Sequence, residues 1–345
     1  MSLIVYTNHF RTRIKDYFWQ ARLSIAPPAQ CYVSRCNYNP NIFDTTLVCE
    51  SIDELKQLKY QGHTWADCMN QKAIELKNID EKLYVLYSGG VDSVGIICSI
   101  LKNFNKEELK KVIILCTPTS VIEFPEFFNL IVDKFTVQYA DIFLEKYTYD
   151  GFIVSGMLGD LFFSEPNFTK KAFDMDIASL NYKDGMVKLY SSYSKEFGKK
   201  YFDLMCPIVD ESMYEINDTL DFLSWMYFTQ LYQKVKLGHI TQKNNFINLS
   251  RYKKIINFFD TEYFQLWGLY NQKNNKYKSM NDYKKEPKKY IYEIFDNMNY
   301  FNNKQKYPSY LSMIFGTEWI DAIDDQWNII TLNEAMEHIN VGPNT

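Results

Sequence analysis

Apolar residues in this chain form short continuous runs that are separated by stretches of helical periodicity. Three runs have the length and composition of buried strands, at residues 83–87, 111–116 and 152–154. Helical spacing follows the first run over 94–101, and another helix is predicted over 125–132. Because parallel strands need a long crossover between them, this alternation predicts a parallel sheet with helices on its faces.

Two further segments are predicted to be helical. Apolar residues recur at helical spacing over 63–78, and 221–236 is apolar nearly all round, which is typical of a buried helix. We therefore predict an α/β fold, a parallel twisted sheet flanked by helices, with a mainly helical C-terminal part. The expected division is an N-terminal extension of unclear fold over 1–60, an α/β domain over 61–215, and a mainly helical part over 216–345 that completes it.

Composition narrows the classes of protein. Of the 345 residues, 46% are hydrophobic and 23% are charged, which is typical of globular proteins. The net charge of −4 argues against nucleic acid as a partner, although residues 284–306 are locally basic. The seven cysteines include no Cys-x-x-Cys pair, so we expect neither a zinc site nor a redox pair. No apolar run approaches ~20 residues, and the one at the N-terminus is too short for a signal peptide, so we predict a cytoplasmic protein without a membrane partner.

The sequence SGGVDS at Ser88–Ser93 follows the first strand and opens the first helix. Two glycines let the backbone pass close to a bulky anion, and the helix that follows directs free N–H groups at it. Ser88 and Ser93 can add hydroxyl donors, and Asp92 can bind Mg²⁺, which prefers oxygen ligands. No lysine follows the glycines, so this is not the loop of P-loop NTPases.

A second turn with similar features follows the strand at 152–154. It contains Ser155-Gly156 and then Gly159-Asp160, with two phenylalanines after Leu161. Because ligands of parallel sheets bind at the carboxyl ends of strands, Asp92 and Asp160 are expected to share one Mg²⁺. The alternative is a glycine turn in which Asp160 only caps a helix.

The first motif resembles the pyrophosphate loop of the N-type ATP pyrophosphatases, the PP-loop superfamily. The second resembles a signature of the asparagine synthetase C-terminal domain, Ser-Gly-Glu-Gly-x-Asp-Glu-Leu-Phe, with Met157 and Leu161 in place of the two glutamates. The resemblance covers about residues 63–315 and implies the adenine nucleotide α-hydrolase-like fold. The family also has an Arg-x-Lys-x-x-x-Ser segment whose lysine contacts pyrophosphate, and spacing assigns this role to Lys306 and the arginine position to Lys304. Two solvated lysines on a loop are the alternative.

The resemblance implies ATP and Mg²⁺ as cofactors. The implied ligands of Mg²⁺ are Asp92 and Asp160, and Lys306 is the implied catalytic residue that contacts the leaving group. Backbone near Leu115 would meet adenine. The other residues implied to bind the nucleotide are Ser88, Gly89, Gly90, Val91, Asp92 and Ser93, with Ser155 and Gly156 beside the α-phosphate.

The implied reaction is adenylation of a small carboxylate substrate with release of pyrophosphate. Ser2 and only about 60 residues before the synthetase-like part leave no glutaminase domain, so we expect the activity to be independent of glutamine. One alternative is a nucleotide-binding accessory or interaction protein without turnover, such as a viral one. Another is an adenylase that modifies tRNA or nucleobases, which the absence of Cys-x-x-Cys and the acidic charge disfavour. The acceptor and the oligomeric state stay open.

Overall fold

The computed structural model of the chain describes residues 3–7, 52–116, 118–139, 149–164, 166–192, 195, 198–238, 254–272, 279–304 and 327–331. The strands are β1 (Leu3–Thr7), β2 (Lys82–Tyr87), β3 (Val112–Cys116), β4 (Thr136–Tyr139), β5 (Gly151–Ser155), β6 (Ile255–Asn257) and β7 (Trp327–Thr331). The α-helices up to β5 are α1 (Ile52–Gln57), α2 (Trp65–Lys77), α3 (Val91–Asn103), α4 (Lys106–Leu109), α5 (Pro118–Glu123) and α6 (Pro125–Val132).

After β5 the α-helices are α7 (Pro166–Asp174), α8 (Tyr182–Ser191), α9 (Gly198–Met205), α10 (Thr219–Gly238), α11 (Glu262–Gln272), α12 (Lys285–Phe295) and α13 (Met298–Asn303). Short 3₁₀ turns cover Gly159–Phe162, Cys206–Glu211 and Met280–Asp282. Among the described residues, no helix combines the length and apolar character needed to cross a membrane.

Five strands form one parallel sheet in the order β4-β3-β2-β5-β6, and helices flank it. This confirms the predicted α/β class with a parallel sheet. The sequence analysis predicted the three central strands and missed the two at the edges. The edge strand β4 is short and largely exposed, so it carries no continuous apolar run, and β6 has only three residues. A separate two-stranded antiparallel sheet pairs β1 with β7.

Alternation along β2 divides its side chains between two apolar clusters, as the period of a strand requires. Leu83, Val85 and Tyr87 belong to the main core, which also contains the apolar side of α3. Tyr84 belongs to a smaller cluster formed by strand residues, which includes Leu115. The central strand is therefore buried on both faces, which explains its nearly continuous apolar sequence.

The strand order places a crevice between the carboxyl ends of β2 and β5. The chain runs from β2 outward through β3 to β4, and then returns to place β5 on the other side of β2. The connections leaving β2 and β5 therefore diverge, which is the switch point where open parallel sheets bind ligands. The two turns singled out from the sequence, after β2 and after β5, lie at this point.

Candidate functional site

The turn between β2 and α3 needs a glycine at position 89. Gly89 has φ +77°, in the left-handed region, and a β-carbon there would lie 2.6 Å from the backbone oxygen of Ser120. Gly90 has φ −77°, which any residue can adopt. The conformational requirement for glycine is thus at the first of the two positions, where the loop passes under α5.

The two serines of this turn hold its shape. Their Oγ atoms lie 3.1 Å apart, Ser93 Oγ donates to the Gly90 carbonyl at 3.0 Å, and the Ser88 N–H donates to Ser93 Oγ at 3.2 Å. No side chain caps α3, because Gly90 occupies the N-cap position. The first N–H groups of this 13-residue helix lack intrahelical acceptors, so they can bind an anion at the crevice.

The turn after β5 brings a second carboxylate to the crevice. The Met157 N–H donates to Ser155 Oγ at 3.1 Å, and Leu158 then adopts φ +77°. A β-carbon added at Gly156 would meet the start of α3 at ordinary contact distances. At Gly159, a β-carbon would lie 2.6 Å from both Cγ and Oδ1 of Asp92. This glycine is therefore what allows the two turns to approach each other.

Asp92 and Asp160 converge as predicted, and the group between them is the ammonium of Lys284. Lys284 Nζ lies 2.5 Å from Asp92 Oδ2 and 2.5 Å from Asp160 Oδ1. Its side chain is 6% exposed, against 20% and 33% for the two carboxylates. Burial lowers the pKa of Lys284, but Asp160 and Asp92 outweigh it, and the net shift is upward. The lysine is therefore a protonated counter-ion of both acids.

The backbone at Lys284 is unusual. It occupies the N-cap position of α12 with φ +55°, a left-handed conformation that is unfavourable for lysine. Next to it, the Tyr283 hydroxyl donates to Asp160 Oδ1 at 3.1 Å. Ser164, which ends the turn that carries Asp160, also has positive φ, at +68°. Such conformations persist where surrounding contacts enforce them, and they cluster at functional sites.

Further lysines line the same side of the crevice. Lys304 donates to Glu123 Oε1 at 2.8 Å, and this oxygen lies 3.7 Å from where a β-carbon on Gly90 would be. Lys288 follows Lys284 by one turn of α12 and is also buried. Burial lowers the pKa of Lys288, and the charges of Lys284 and Lys304 add to this shift while Asp282 opposes it. In the described part of the chain, its ammonium has no ion pair or hydrogen bond.

A buried tyrosine hydroxyl adds another group without a partner. The Tyr300 hydroxyl finds no hydrogen bond among the described residues, and its ring stacks on Phe124 at 4.4 Å. Burial, followed by Cys98 and Asp92, raises the pKa of Tyr300. A cleft of about 120 Å³ opens beside it and is lined by Phe124, Glu126, Asn297, Asn299, Tyr300 and Lys304.

The structure does not test the predicted roles of two residues, the contact of Lys306 with pyrophosphate and the contact of the backbone near Leu115 with adenine. Lys306 lies outside the described residues. Leu115 is the penultimate residue of β3, with strand neighbours on both sides, and its side chain is buried in the smaller apolar cluster. The other predicted residues, at 88–93, 155, 156 and 160, all lie at the crevice between β2 and β5.

Sequence reasoning missed Lys284, Lys288 and Glu123. The two lysines were noted only as part of a basic stretch. The available signal was their spacing of four residues at the start of an amphipathic helix, which places both ammonium groups on one face. Nothing in the local sequence of Glu123 indicates a partner, because Lys304 is 181 residues away.

Asp92 and Asp160 are the carboxylates that could bind Mg²⁺ at this crevice. Within the described ranges, no group of three or more His, Cys, Asp or Glu side chains is arranged to hold a metal ion. Magnesium at phosphate sites usually takes one or two carboxylates and completes its shell with phosphate oxygens and water. Asp92 and Asp160 therefore suit Mg²⁺ that arrives with a nucleotide, once Lys284 Nζ leaves the position between them.

No protein-family model, curated protein or solved structure matches this chain. The resemblance to PP-loop enzymes therefore rests on the residues of the two sequence motifs.

Proposed function

We propose that this chain is an ATP-binding protein of the PP-loop kind, with the adenine nucleotide α-hydrolase-like fold, that adenylates a small carboxylate substrate in the cytoplasm. One observation carries the proposal: the uncapped N-terminus of α3, two carboxylates and buried lysines meet at the switch point of a parallel sheet. Such a crevice suits a polyphosphate that arrives with a divalent cation.

Each group has a chemical task in this proposal. The N–H groups at the start of α3 would bind phosphate oxygens, aided by the Ser88 and Ser93 hydroxyls. Bound Mg²⁺, held by Asp92 and Asp160, would neutralise phosphate charge. Lys288 and Lys304 would face the pyrophosphate end, where ammonium groups stabilise the charge that develops on the leaving group.

The proposed reaction is attack of a substrate carboxylate on the α-phosphate of ATP. A carboxylate oxygen of the substrate forms a bond to the α-phosphorus, and the bond between the α-phosphorus and the bridging oxygen breaks with release of pyrophosphate. The turn after β5 would border the α-phosphate through Ser155 and Gly156. The acyl-adenylate then passes its acyl group to a nucleophile. Lys306, by resemblance, would contact the departing pyrophosphate.

A second candidate is nucleotide binding without turnover, and Met157 favours it. This side chain is 45% exposed and stands where the resemblance calls for a glutamate. A thioether is only a weak acceptor and cannot take a proton from an attacking amine. The two candidates share the binding step and differ only in whether AMP and pyrophosphate appear.

Calorimetry with ATP and Mg²⁺ tests the shared step. Gly90→Val places a branched side chain at the N-cap of α3, where phosphate would bind, and should abolish binding. Gly95→Ala in the same helix is the matched control, because its β-carbon would meet only Met69 Cε at 3.4 Å. Unchanged ATP affinity in Gly90→Val would refute the proposed site.

Turnover is tested by incubating the protein with ATP, Mg²⁺ and a panel of carboxylic acids. Formation of AMP and pyrophosphate that depends on one acid would support the ligase. Tight ATP binding with no AMP for any acid would favour the second candidate.

A further inference from the structure

The position where Mg²⁺ would bind holds a positive charge that belongs to the protein. Lys284 Nζ lies 2.5 Å from an oxygen of Asp92 and 2.5 Å from an oxygen of Asp160, and 2.7 Å from the other Asp92 oxygen. Its side chain is 94% buried and the two carboxylates are 20% and 33% exposed, so water screens these contacts only in part. One of the two negative charges is thus already balanced before any metal arrives.

We propose that Lys284 is a resident cation that competes with the divalent ion for Asp92 and Asp160, so that the site opens to Mg²⁺ only when this ammonium withdraws. The inference rests on the proposed function, because it takes this crevice to be the Mg²⁺–nucleotide site. It adds a regulatory element: the lysine keeps the metal position closed until a polyphosphate is present.

Geometry makes the competition unavoidable. Magnesium binds carboxylate oxygens at about 2.0–2.1 Å, so an ion shared by Asp92 and Asp160 would occupy nearly the same point as Lys284 Nζ. Like charges at such a distance repel strongly, since Lys284 is buried and the two carboxylates are only partly exposed. One of the two cations must therefore leave before the other binds.

The surroundings of Lys284 suit a side chain with a second position. Lys288, one turn along the same helix, is buried, and its ammonium has no hydrogen bond or ion pair within the described ranges. A polyphosphate on this face of α12 would give Lys288 a partner and would also receive the displaced ammonium of Lys284. The left-handed backbone at Lys284 is unfavourable for lysine, and the contacts that hold it there include the two ion pairs.

The test uses Mn²⁺ alone as the probe, with the full chain and no nucleotide. Electron paramagnetic resonance measures the Mn²⁺ affinity of wild type and of Lys284→Met. Removing the Lys284 ammonium should tighten Mn²⁺ binding by about tenfold or more, because the carboxylates of Asp92 and Asp160 are then always open to the metal ion. The thermal midpoint of Lys284→Met without metal should fall, and Mn²⁺ should raise it again.

Two further variants make the result specific. Lys285→Met removes the same charge one residue further on, from an exposed side chain, and should change Mn²⁺ affinity far less. Lys284→Arg keeps a cation that pairs well with carboxylates, so Mn²⁺ binding should stay as weak as in wild type. If Lys284→Met does not fold, Lys284→Gly replaces it, since glycine accepts φ +55°.

Equal Mn²⁺ affinity in wild type and in the folded Lys284 variants without a cation would overturn the competition. Mn²⁺ binding that is as tight in Lys284→Arg as in Lys284→Met would also overturn the competition. Neither result depends on ATP. Failure of wild type to bind ATP with Mg²⁺ would instead remove the proposed function and leave the lysine result intact.

Discussion

Replacing Gly159 with alanine should disturb the ion cluster without changing any charge. The added β-carbon would lie 2.6 Å from Cγ and Oδ1 of Asp92 and 3.0 Å from Oδ2. Optimal separations between non-bonded heavy atoms are about 3.5–4.0 Å, so the Asp92 carboxylate must move by about 1 Å. Its contacts with Lys284 are 2.5 and 2.7 Å long, and a shift of this size breaks or bends them.

The expected loss of stability follows from three contributions. Overpacking of this kind costs about 1–3 kcal/mol. Against it stands a gain of about 0.4–1 kcal/mol from reduced freedom of the unfolded chain, because Gly159 does not have positive φ. Weakening one of two charge-assisted pairs of a buried lysine adds to the loss. We therefore expect Gly159→Ala to lower the free energy of unfolding by about 2 kcal/mol.

Urea unfolding followed by tryptophan fluorescence measures this change. Gly156→Ala is the matched control for stability: it lies in the same turn, its nearest contact would be 3.4 Å, and it should be neutral or slightly stabilising. A double-mutant cycle tests the role of Asp92 directly. Asp92→Ala removes the obstructing carboxylate, so Gly159→Ala should no longer lower the free energy of unfolding in that background. An equal loss in both backgrounds would show that the reasoning about Asp92 is wrong.

Three further predictions concern the loop, the buried lysine and the reaction. Gly89→Ala forces alanine into φ +77° and places its β-carbon 2.6 Å from a backbone oxygen. This variant should lose ATP binding and about 1–3 kcal/mol of folding stability. ATP affinity in calorimetry and stability in urea unfolding that both match wild type would contradict the prediction. The pKa of Lys288 is lowered from 10.5, so its positive charge is lost at a lower pH than that of an ordinary lysine. ATP affinity should therefore fall as the pH rises toward this lowered pKa. If the ATP affinity of Lys288→Met depends on pH as that of wild type does, the prediction is wrong. With aspartate, ATP and ammonium, asparagine formation should be ~10²–10⁴-fold slower than in an efficient synthetase, because Met157 cannot act as a base. Rapid asparagine formation, measured by chromatography, would contradict this prediction and support an asparagine synthetase activity.

The central fold could be predicted because its signals are local. The strands β2, β3 and β5 are apolar runs, and helices α2, α3, α6 and α10 follow helical periodicity, so each needs only its own sequence. The edge strands could not be predicted in this way. Tyr139 at the end of β4 is 63% exposed, and the sheet forms there through backbone pairing with β3 rather than through side-chain burial.

The two carboxylates of the site could be predicted because their signals are local, whereas the lysine between them could not. Asp92 and Asp160 each follow a strand, and the rule that parallel strands present their carboxyl ends together was enough to bring them to one place. Lys284 is 192 residues from Asp92, and it arrives because α12 packs against α3. Local sequence shows only a basic stretch there, which is more often a solvated surface than a buried ion cluster.

The balance of charge around the crevice explains why a metal should matter for nucleotide binding. Among the described residues, the ammonium groups of Lys284, Lys288 and Lys304 stand against the carboxylates of Asp92, Glu123 and Asp160, while Asp282 acts on Lys288 and Glu126 lines the same cleft as Lys304. The formal positive charge of the lysines therefore does not exceed the negative charge of the carboxylates, and the N-terminus of α3 adds only about half a positive charge.

A polyphosphate without metal would therefore bring its negative charge against two carboxylates with little net attraction. In the proposed site, Mg²⁺ would add two positive charges and bind those same carboxylates, which would turn the crevice into an attractive site for an anion. We expect ATP in excess EDTA to bind about tenfold or more weakly than ATP with Mg²⁺ in calorimetry. Equal affinity under both conditions would mean that the lysines alone neutralise the phosphates, and Asp92 and Asp160 would then serve only to hold Lys284.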